Sequence, residues 1–280
     1  MSRLSFGLVL LVGILAGGLG VSLLNRGPAP VNDATVRGIV AEMLSADAGK
    51  SVDPAQLNGL IEDYLMDDPA ILDRMAAKLS VAKREAQKRE QLALLKANYT
   101  AIYEDPANVV LGNPNGDVTL VEMFDYNCGY CRRALPDIAA LIAEDPNLKI
   151  ILKEFPILSD GSVEAAKVAF LVAENDQLNY WDFHQRLFSA RGQVDGKAAL
   201  TAAEQVGGNR MTMMIDMNSK KAADALERNY DLATALKISG TPTFIIGDEL
   251  IPGAVGFEAL RDKIANMRAC GSTVCDAPTG

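Results

Sequence analysis

The N-terminal third of the chain carries apolar residues three and four positions apart, which is the period of an amphipathic helix. The pattern runs through residues 36–82. Two Asp-Pro pairs, beginning at Asp53 and Asp68, are typical helix starts, with Asp as the N-cap and Pro in the first turn. These positions predict an all-α N-terminal arm over residues 34–104.

After residue 104 the pattern changes to short strands separated by helices. A strand, a helix and a strand in this order predict a βαβ unit with parallel strands, so the fold class is α/β, with a domain assigned to residues 105–269. The predicted elements are two strands joined by an Asn-Pro-Asn-Gly turn over 108–126, a helix from Cys128 to about Ala143, a strand over 148–156, helical segments over 162–236, a hairpin over 240–253 and a helix over 257–267.

The apolar stripes of the arm are too narrow to form a confident independent core. Such stripes need a partner, and the sequence leaves two partners open. One is the rest of the same chain. The other is a second copy of the arm, which would make the protein a homo-oligomer.

The first 25 residues are predicted to direct export. Residues 4–24 contain no charge and would span roughly 30 Å as a helix, about one bilayer core. No good Ala-x-Ala cleavage site follows, so an uncleaved membrane anchor and a cleaved signal peptide both stay open. The Pro- and Gly-rich residues 26–33 are predicted to be a linker.

Bulk composition excludes one class of partner. The net charge is −9, and no basic stripe is present. An acidic chain lacks the cationic surface that neutralises phosphates, so nucleic-acid binding is not expected.

Four cysteines form two local pairs, Cys128 with Cys131 and Cys270 with Cys275. Three pairings exist for four cysteines, and the spacing favours the local ones. In an exported chain thiols pair or carry out redox chemistry. For Cys270 and Cys275, in a C-terminal tail over residues 270–280, we predict a structural disulfide.

Cys128-Gly129-Tyr130-Cys131 follows an apolar strand and begins a helix. By itself the motif allows a redox pair or a metal clip. At a helix N-terminus the helix dipole and free N–H groups stabilise an anion, so the pKa of Cys128 is expected to fall. Cys131, one turn inside the helix, is placed to resolve a mixed disulfide. Arg132 and Arg133 add local positive charge.

A second motif, "GTPTF", places Thr241-Pro242 before a short strand far downstream. Together the strand, the Cys-x-x-Cys helix, the helical insertion and this loop resemble the thioredoxin fold of the DsbA-like thiol–disulfide oxidoreductases. The resemblance implies that Cys128 is the nucleophile and Cys131 the resolving thiol. Pro242 would be the cis-proline facing the pair, and the Thr241 backbone would help to bind substrate chains.

By the same resemblance Glu122, six residues before Cys128, corresponds to the buried acid that relays protons to the resolving cysteine. A strand carboxylate on the polar face is the alternative for this residue. The implied partners are cysteine-containing proteins and a membrane redox partner, and no cofactor is implied.

The arm narrows the resemblance to the suppressor-of-copper-sensitivity C (ScsC-like) proteins. It implies a periplasmic location, trimerisation through the arm, and isomerase or reductase work. Gly129-Tyr130 departs from the Pro-His of the strongest oxidants, so a less oxidising pair is expected. Isomerase against oxidase stays open.

Copper binding or copper-stress protection by the reduced cysteine pair is the alternative function. Met211, Met214 and Met217 would share a helix face, which suits either core packing or soft-metal binding. His184, the only histidine, is predicted to be a packed or surface helix residue rather than a catalytic or metal-binding one. With no second histidine, a zinc site of the His/Cys kind is not expected.

Overall fold

A computed structural model of the protein describes residues 54–68 and 70–275. The predicted anchor or signal segment, the linker and the helix predicted near residues 36–44 lie outside these residues. In the part of the chain that the structure describes, no helix is both long and apolar enough to cross a bilayer.

Ten helices and five strands make up the described residues. The helices are α1 (Pro54–Asp67), α2 (Ala70–Ala97), α3 (Tyr99–Tyr103), α4 (Gly129–Glu144), α5 (Asp160–Ala173), α6 (Tyr180–Phe188), α7 (Gly196–Gln205), α8 (Arg210–Asp216), α9 (Lys220–Ala235) and α10 (Phe257–Cys270). The strands are β1 (Val109–Gly112), β2 (Val118–Phe124), β3 (Leu148–Glu154), β4 (Thr243–Ile246) and β5 (Glu249–Pro252).

The strands form one sheet in the order β1-β3-β2-β4-β5. β2 and β3 are parallel and are connected through α4, which is the predicted βαβ unit. β1 and β2, predicted on either side of one turn, are not neighbours, because β3 lies between them and pairs antiparallel with β1. β4 and β5 form the predicted hairpin around Gly247 and Asp248. The α/β fold class is thus confirmed.

Both faces of the sheet are covered, which explains the nearly continuous apolar run of β2. On one face Leu120 and Phe124 join the main core cluster, together with residues of α4, α5, α6, α7 and α10. On the other face Val121 packs with Leu95 of α2 and Ile102 of α3, and α9 completes that cluster. The end of α2 and the buried side of α3 therefore contribute to the core on this face of the sheet.

The described residues divide into two compact units, with the division between Ala76 and Ala77. The first contains α1 and the beginning of α2, where Asp68 accepts a hydrogen bond from the Ala70 amide at 3.1 Å. Several large apolar side chains of α1 and α2 are exposed. They are Ile61, Tyr64, Met66, Leu72, Met75, Leu79 and Val81.

We predict that Leu120→Ala lowers the free energy of unfolding by about 3 kcal/mol. Leu120 lies on a central strand with no exposed surface, so the truncated side chain leaves a cavity. Val110→Ala, on the edge strand β1 and 40% exposed, should cost about 0.5 kcal/mol. Urea unfolding measures both changes. Equal losses in the two variants would contradict the assignment of β2 to the core.

Candidate active site

The two cysteines of the Cys-x-x-Cys motif lie where β2 has ended and α4 begins. Cys128 is the N-cap of α4, with extended backbone angles, and its Sγ accepts a hydrogen bond from the Cys131 amide at 3.3 Å. Both thiols are free and buried, Cys128 at 5% exposure and Cys131 at 1%. The chain thus presents a sulfur atom to the unpaired N–H groups of a helix N-terminus, which stabilise an anion.

Hydrogen bonds to Cys128 lower its pKa to about 5. The largest contribution comes from the thiol of Cys131, partial burial opposes it, and the contact with Thr241 and the backbone N–H groups of Tyr130 and Cys131 add to it. Near neutral pH the Cys128 sulfur is therefore a thiolate, the species that attacks disulfides.

Cys131 has the opposite chemistry. Burial raises the pKa of its thiol, and the hydrogen bond to Cys128 and the charge of Glu122 raise it further. The Cys131 proton is thus held tightly until a base removes it. The pair is asymmetric, with one thiolate and one thiol, although the two residues are only three positions apart.

Thr241 and Pro242 meet the pair from the start of β4. The Thr241–Pro242 peptide bond is cis. The Cys128 Sγ lies 3.2 Å from the Thr241 carbonyl oxygen, to which the thiol form donates. The Pro242 carbonyl accepts from the Gly253 amide at 2.8 Å, which ties this loop to the end of β5. Cys128 and Thr241, which are 113 positions apart in the sequence, are therefore in direct contact.

Glu122 is on β2, between Phe244 of β4 and Leu152 of β3. It is buried at 4% exposure, so it does not lie on a polar strand face. Burial, together with the charge of Cys128, raises its pKa to about 8. An acid with this pKa exchanges protons near neutral pH, and the charge of its ionised form raises the pKa of Cys131.

The loop before Cys128 is fixed by two polar residues that the sequence reasoning did not single out. Asp125 accepts hydrogen bonds from the Ser162 hydroxyl at 2.8 Å, the Leu158 amide at 2.9 Å and the Asn127 amide at 2.7 Å. Asn127 donates to Ser162 and accepts from the Val194 amide, at 2.8 and 2.7 Å. The start of α5 and the residues before α7 thus hold the nucleophile loop.

A buried chain of polar side chains lies behind this loop. The Tyr126 hydroxyl is 3.0 Å from His184 Nδ1 and 3.3 Å from the Tyr180 hydroxyl, and Tyr180 donates to Glu154 at 3.2 Å. Burial lowers the pKa of His184 to about 3 and raises that of Glu154. His184 is therefore a neutral packed residue, as predicted, while no sequence signal had pointed to Glu154 at the end of an apolar run.

The other cysteines and the methionines considered as metal ligands lie far from Cys128 and Cys131 in the sequence. Cys270 and Cys275 form a disulfide with a Cα–Cα distance of 5.9 Å. Met217 is buried, whereas Met211 and Met214 are 64% and 46% exposed, so the three do not share one packed face. Among residues 54–68 and 70–275, no three His, Cys, Asp or Glu side chains are placed to hold a metal ion. Copper binding by the reduced pair stays a prediction.

Comparison with known proteins agrees with this geometry. Residues 119–265 match the family of DSBA-like thioredoxin domains. A thioredoxin-like oxidoreductase from Silicibacter pomeroyi is 36% identical with a TM-score of 0.58, over 61% of this chain and 98% of that one. The catalytic domain of Proteus mirabilis ScsC is 28% identical, also with a TM-score of 0.58, over 63% of this chain and 98% of that one.

The Na⁺/H⁺ antiporter NhaA 1 of Salinispora arenicola is 24% identical over 88% of this chain, and the chain spans 39% of that protein's length. The matched family covers more than half of the chain and includes the strand, the cysteine pair and the cis-proline loop. The protein has the thioredoxin fold and belongs to the DSBA-like thioredoxin family.

Proposed function

We propose that this protein is an exported enzyme that exchanges disulfides in protein substrates through Cys128 and Cys131, with isomerisation as its main work. The observation that carries the proposal is the geometry of the pair: the Cys128 sulfur caps the N-terminus of α4, and Cys131 is buried behind it. These surroundings lower the pKa of Cys128 and raise that of Cys131. Because of this difference, Cys128 can attack a substrate disulfide while Cys131 stays protonated until the resolving step.

The reaction begins when the Cys128 thiolate attacks one sulfur of a substrate disulfide. A new S–S bond forms between enzyme and substrate, and the second substrate sulfur leaves as a thiolate. The Thr241 carbonyl lies next to the reacting sulfur. The backbone there is placed to align an extended substrate segment beside Cys128.

Two outcomes follow from this mixed disulfide. In isomerisation, another substrate thiolate attacks the substrate sulfur, and Cys128 leaves as a thiolate with no net oxidation. In reduction, Glu122 first gives up its own proton to solvent, its carboxylate then takes the Cys131 proton, and the Cys131 thiolate attacks Cys128 Sγ. A disulfide then joins Cys128 to Cys131, and the substrate leaves with two reduced sulfurs. We propose that a membrane redox partner supplies two electrons to reset the pair.

Export and self-association complete the proposal. An uncharged apolar segment over residues 4–24 and the Cys270–Cys275 disulfide are typical of a chain that works in an oxidising compartment, here the periplasm. The exposed apolar side chains of α1 and α2 favour association of arms in a homo-oligomer, which we propose is a trimer.

We expect alkylation of the reduced protein at Cys128 to have its midpoint near pH 5, because its thiol pKa is lowered. The unfolded thiol keeps its proton to about pH 8.5. The reduced protein should therefore gain stability relative to Cys128→Ser as pH rises through this interval, and lose that gain as pH falls to 5. Iodoacetamide labelling followed by mass spectrometry measures the midpoint. A value near 8.5 would contradict the assignment.

Glu122→Gln should slow formation of the Cys128–Cys131 disulfide from a mixed disulfide roughly tenfold at neutral pH, because the base is lost. It should also remove the pH dependence of that step near pH 8. Stopped-flow mixing with an oxidised peptide measures the rate. Glu144→Gln, an exposed change at the end of α4, is the control.

The same variant alters stability in a defined direction. Glu122 stays protonated in the folded state up to about pH 8, while the unfolded carboxyl ionises near pH 4.3. The wild type should lose about 1.4 kcal/mol per pH unit across this range relative to Glu122→Gln. Parallel pH–stability curves for the two proteins would show that Glu122 is not a buried acid.

Isomerase activity should depend on the arm. Leu72→Glu with Leu79→Glu places charges on the exposed apolar face of α2, and we expect a monomer with at least tenfold less recovery of scrambled ribonuclease. Ala70→Glu with Ala77→Glu adds the same charges on the other side of that helix and is the control. Light scattering gives the mass. A monomeric wild type that only oxidises thiols would overturn the isomerase proposal.

A further inference from the structure

Two arginines occupy the first turn of α4, next to the nucleophile. Arg132 and Arg133 are both exposed, and no acidic residue lies in this turn. Cations at a helix N-terminus are unfavourable, since the helix dipole is positive there. Helix stability alone therefore gives no reason for this pair of charges.

The two guanidinium groups also have no carboxylate partner among the residues that the structure describes. In a chain with a net charge of −9, this is unusual, because most other described arginines are paired. The paired ones are Arg74, Arg89, Arg186, Arg210, Arg228, Arg261 and Arg268. Intramolecular ion pairing therefore does not explain Arg132 and Arg133 either.

Stabilisation of the thiolate does not explain them. The main groups that lower the Cys128 pKa are the Cys131 thiol, the Thr241 side chain and the backbone N–H groups of Cys131 and Tyr130. Neither guanidinium is among them. The positive charge that the sequence places beside the cysteines faces outward from the chain.

This charge lies at the start of the helix that Cys128 caps, beside the reactive sulfur of the proposed function. The Arg132 amide donates to the Cys128 carbonyl at 3.0 Å, so Arg132 lies one helical turn after Cys128. The Arg133 guanidinium lies 4.1 Å from the centroid of the Tyr130 ring, which is 60% exposed. Stacking orients the guanidinium beside an exposed aromatic ring. We call Tyr130, Arg132 and Arg133 the first-turn surface.

We propose that the first-turn surface binds acidic side chains that flank the reactive cysteine of protein substrates. The inference rests on the proposed function, since it names the substrate class of the same site. Guanidinium groups bind carboxylates in bidentate geometry. Unpaired cations at a reactive site also raise the encounter rate with acidic segments, and this effect weakens as salt screens it.

The test compares three synthetic peptides, each with one cysteine held as a mixed disulfide with the uncharged thiol pyridine-2-thiol. Glu, Gln or Lys flanks the cysteine. The Cys128 thiolate attacks the peptide sulfur, the enzyme–peptide S–S bond forms, and the released pyridine-2-thiolate takes up a proton and is measured by absorbance. The ratio of the Glu-peptide rate to the Gln-peptide rate isolates the effect of charge.

In the full chain, Arg132→Gln with Arg133→Gln should lower this ratio about fivefold at low ionic strength, and less than about twofold in high salt. The Lys-to-Gln ratio should rise. Arg84→Gln with Arg89→Gln removes the same two charges from exposed positions of α2 and should leave both ratios at the wild-type values.

Three results would overturn the inference while leaving the proposed function intact. One is an unchanged Glu-to-Gln ratio in the first-turn variant. Another is an equal loss with all three peptides, which would assign the arginines to the thiolate or the fold. The third is the same change of ratio in the α2 control, which would assign it to net charge. Undiminished pyridine-2-thione release by Cys128→Ser would instead overturn the proposed function itself.

Discussion

The site depends on one hydrogen-bonded arrangement, a sulfur atom held as the N-cap of a helix. Cys128 Sγ accepts from the Cys131 amide at the point where buried strand β2 has ended and α4 begins. The same position exposes the sulfur to the helix dipole and to the Thr241 carbonyl from the start of β4. If the start of α4 shifted by one residue, the sulfur would lose the N-cap geometry that stabilises its anion. The parallel pairing of β2 with β3 and the antiparallel pairing of β2 with β4 therefore set the chemistry as well as the fold.

Differences in burial and hydrogen bonding give the two thiols different pKa values. Cys128 keeps enough hydrogen bonds to offset its partial burial, and its pKa falls. Cys131, with 1% of its surface exposed, has a raised pKa and keeps its proton. Glu122 shares this buried environment, and its pKa of about 8 suits proton exchange near neutral pH. One strand–helix turn thus holds a thiolate, a thiol and a buried acid whose proton affinities differ because their surroundings differ.

The helices between β3 and β4, α5 to α9, help to hold the active-site loop in place. Asp125 and Asn127 connect the nucleophile loop to Ser162 at the start of α5 and to Val194 before α7. Tyr126 continues the connection to His184 and Tyr180 of α6. Each of these bonds joins residues more than thirty positions apart, so no local pattern could reveal them. In contrast, the charge of Arg132 and Arg133 is plain from the sequence, but its outward direction is not. In the part of the chain that the structure describes, neither arginine forms an ion pair, and the Arg133 guanidinium lies over the exposed Tyr130 ring.

Many of the helices and strands could be predicted from local sequence patterns. Period, caps and turn residues were sufficient for the helix starts after Asp68 and Cys128, the parallel βαβ unit and the β4–β5 hairpin, because each depends on neighbours a few residues apart. Local patterns did not predict three other features: the position of β1 next to β3 in the sheet, the burial of Glu122 and the contact of Cys128 with Thr241. These features depend on contacts between residues far apart in the sequence. The sequence by itself determined where a thiol pair meets a helix N-terminus. The helix N-terminus also predicted that Cys128 is the thiol that ionises. Only the tertiary structure decided that Cys131 keeps its proton and that Glu122 is a buried acid, since a pKa depends on burial and on hydrogen bonds from distant parts of the chain.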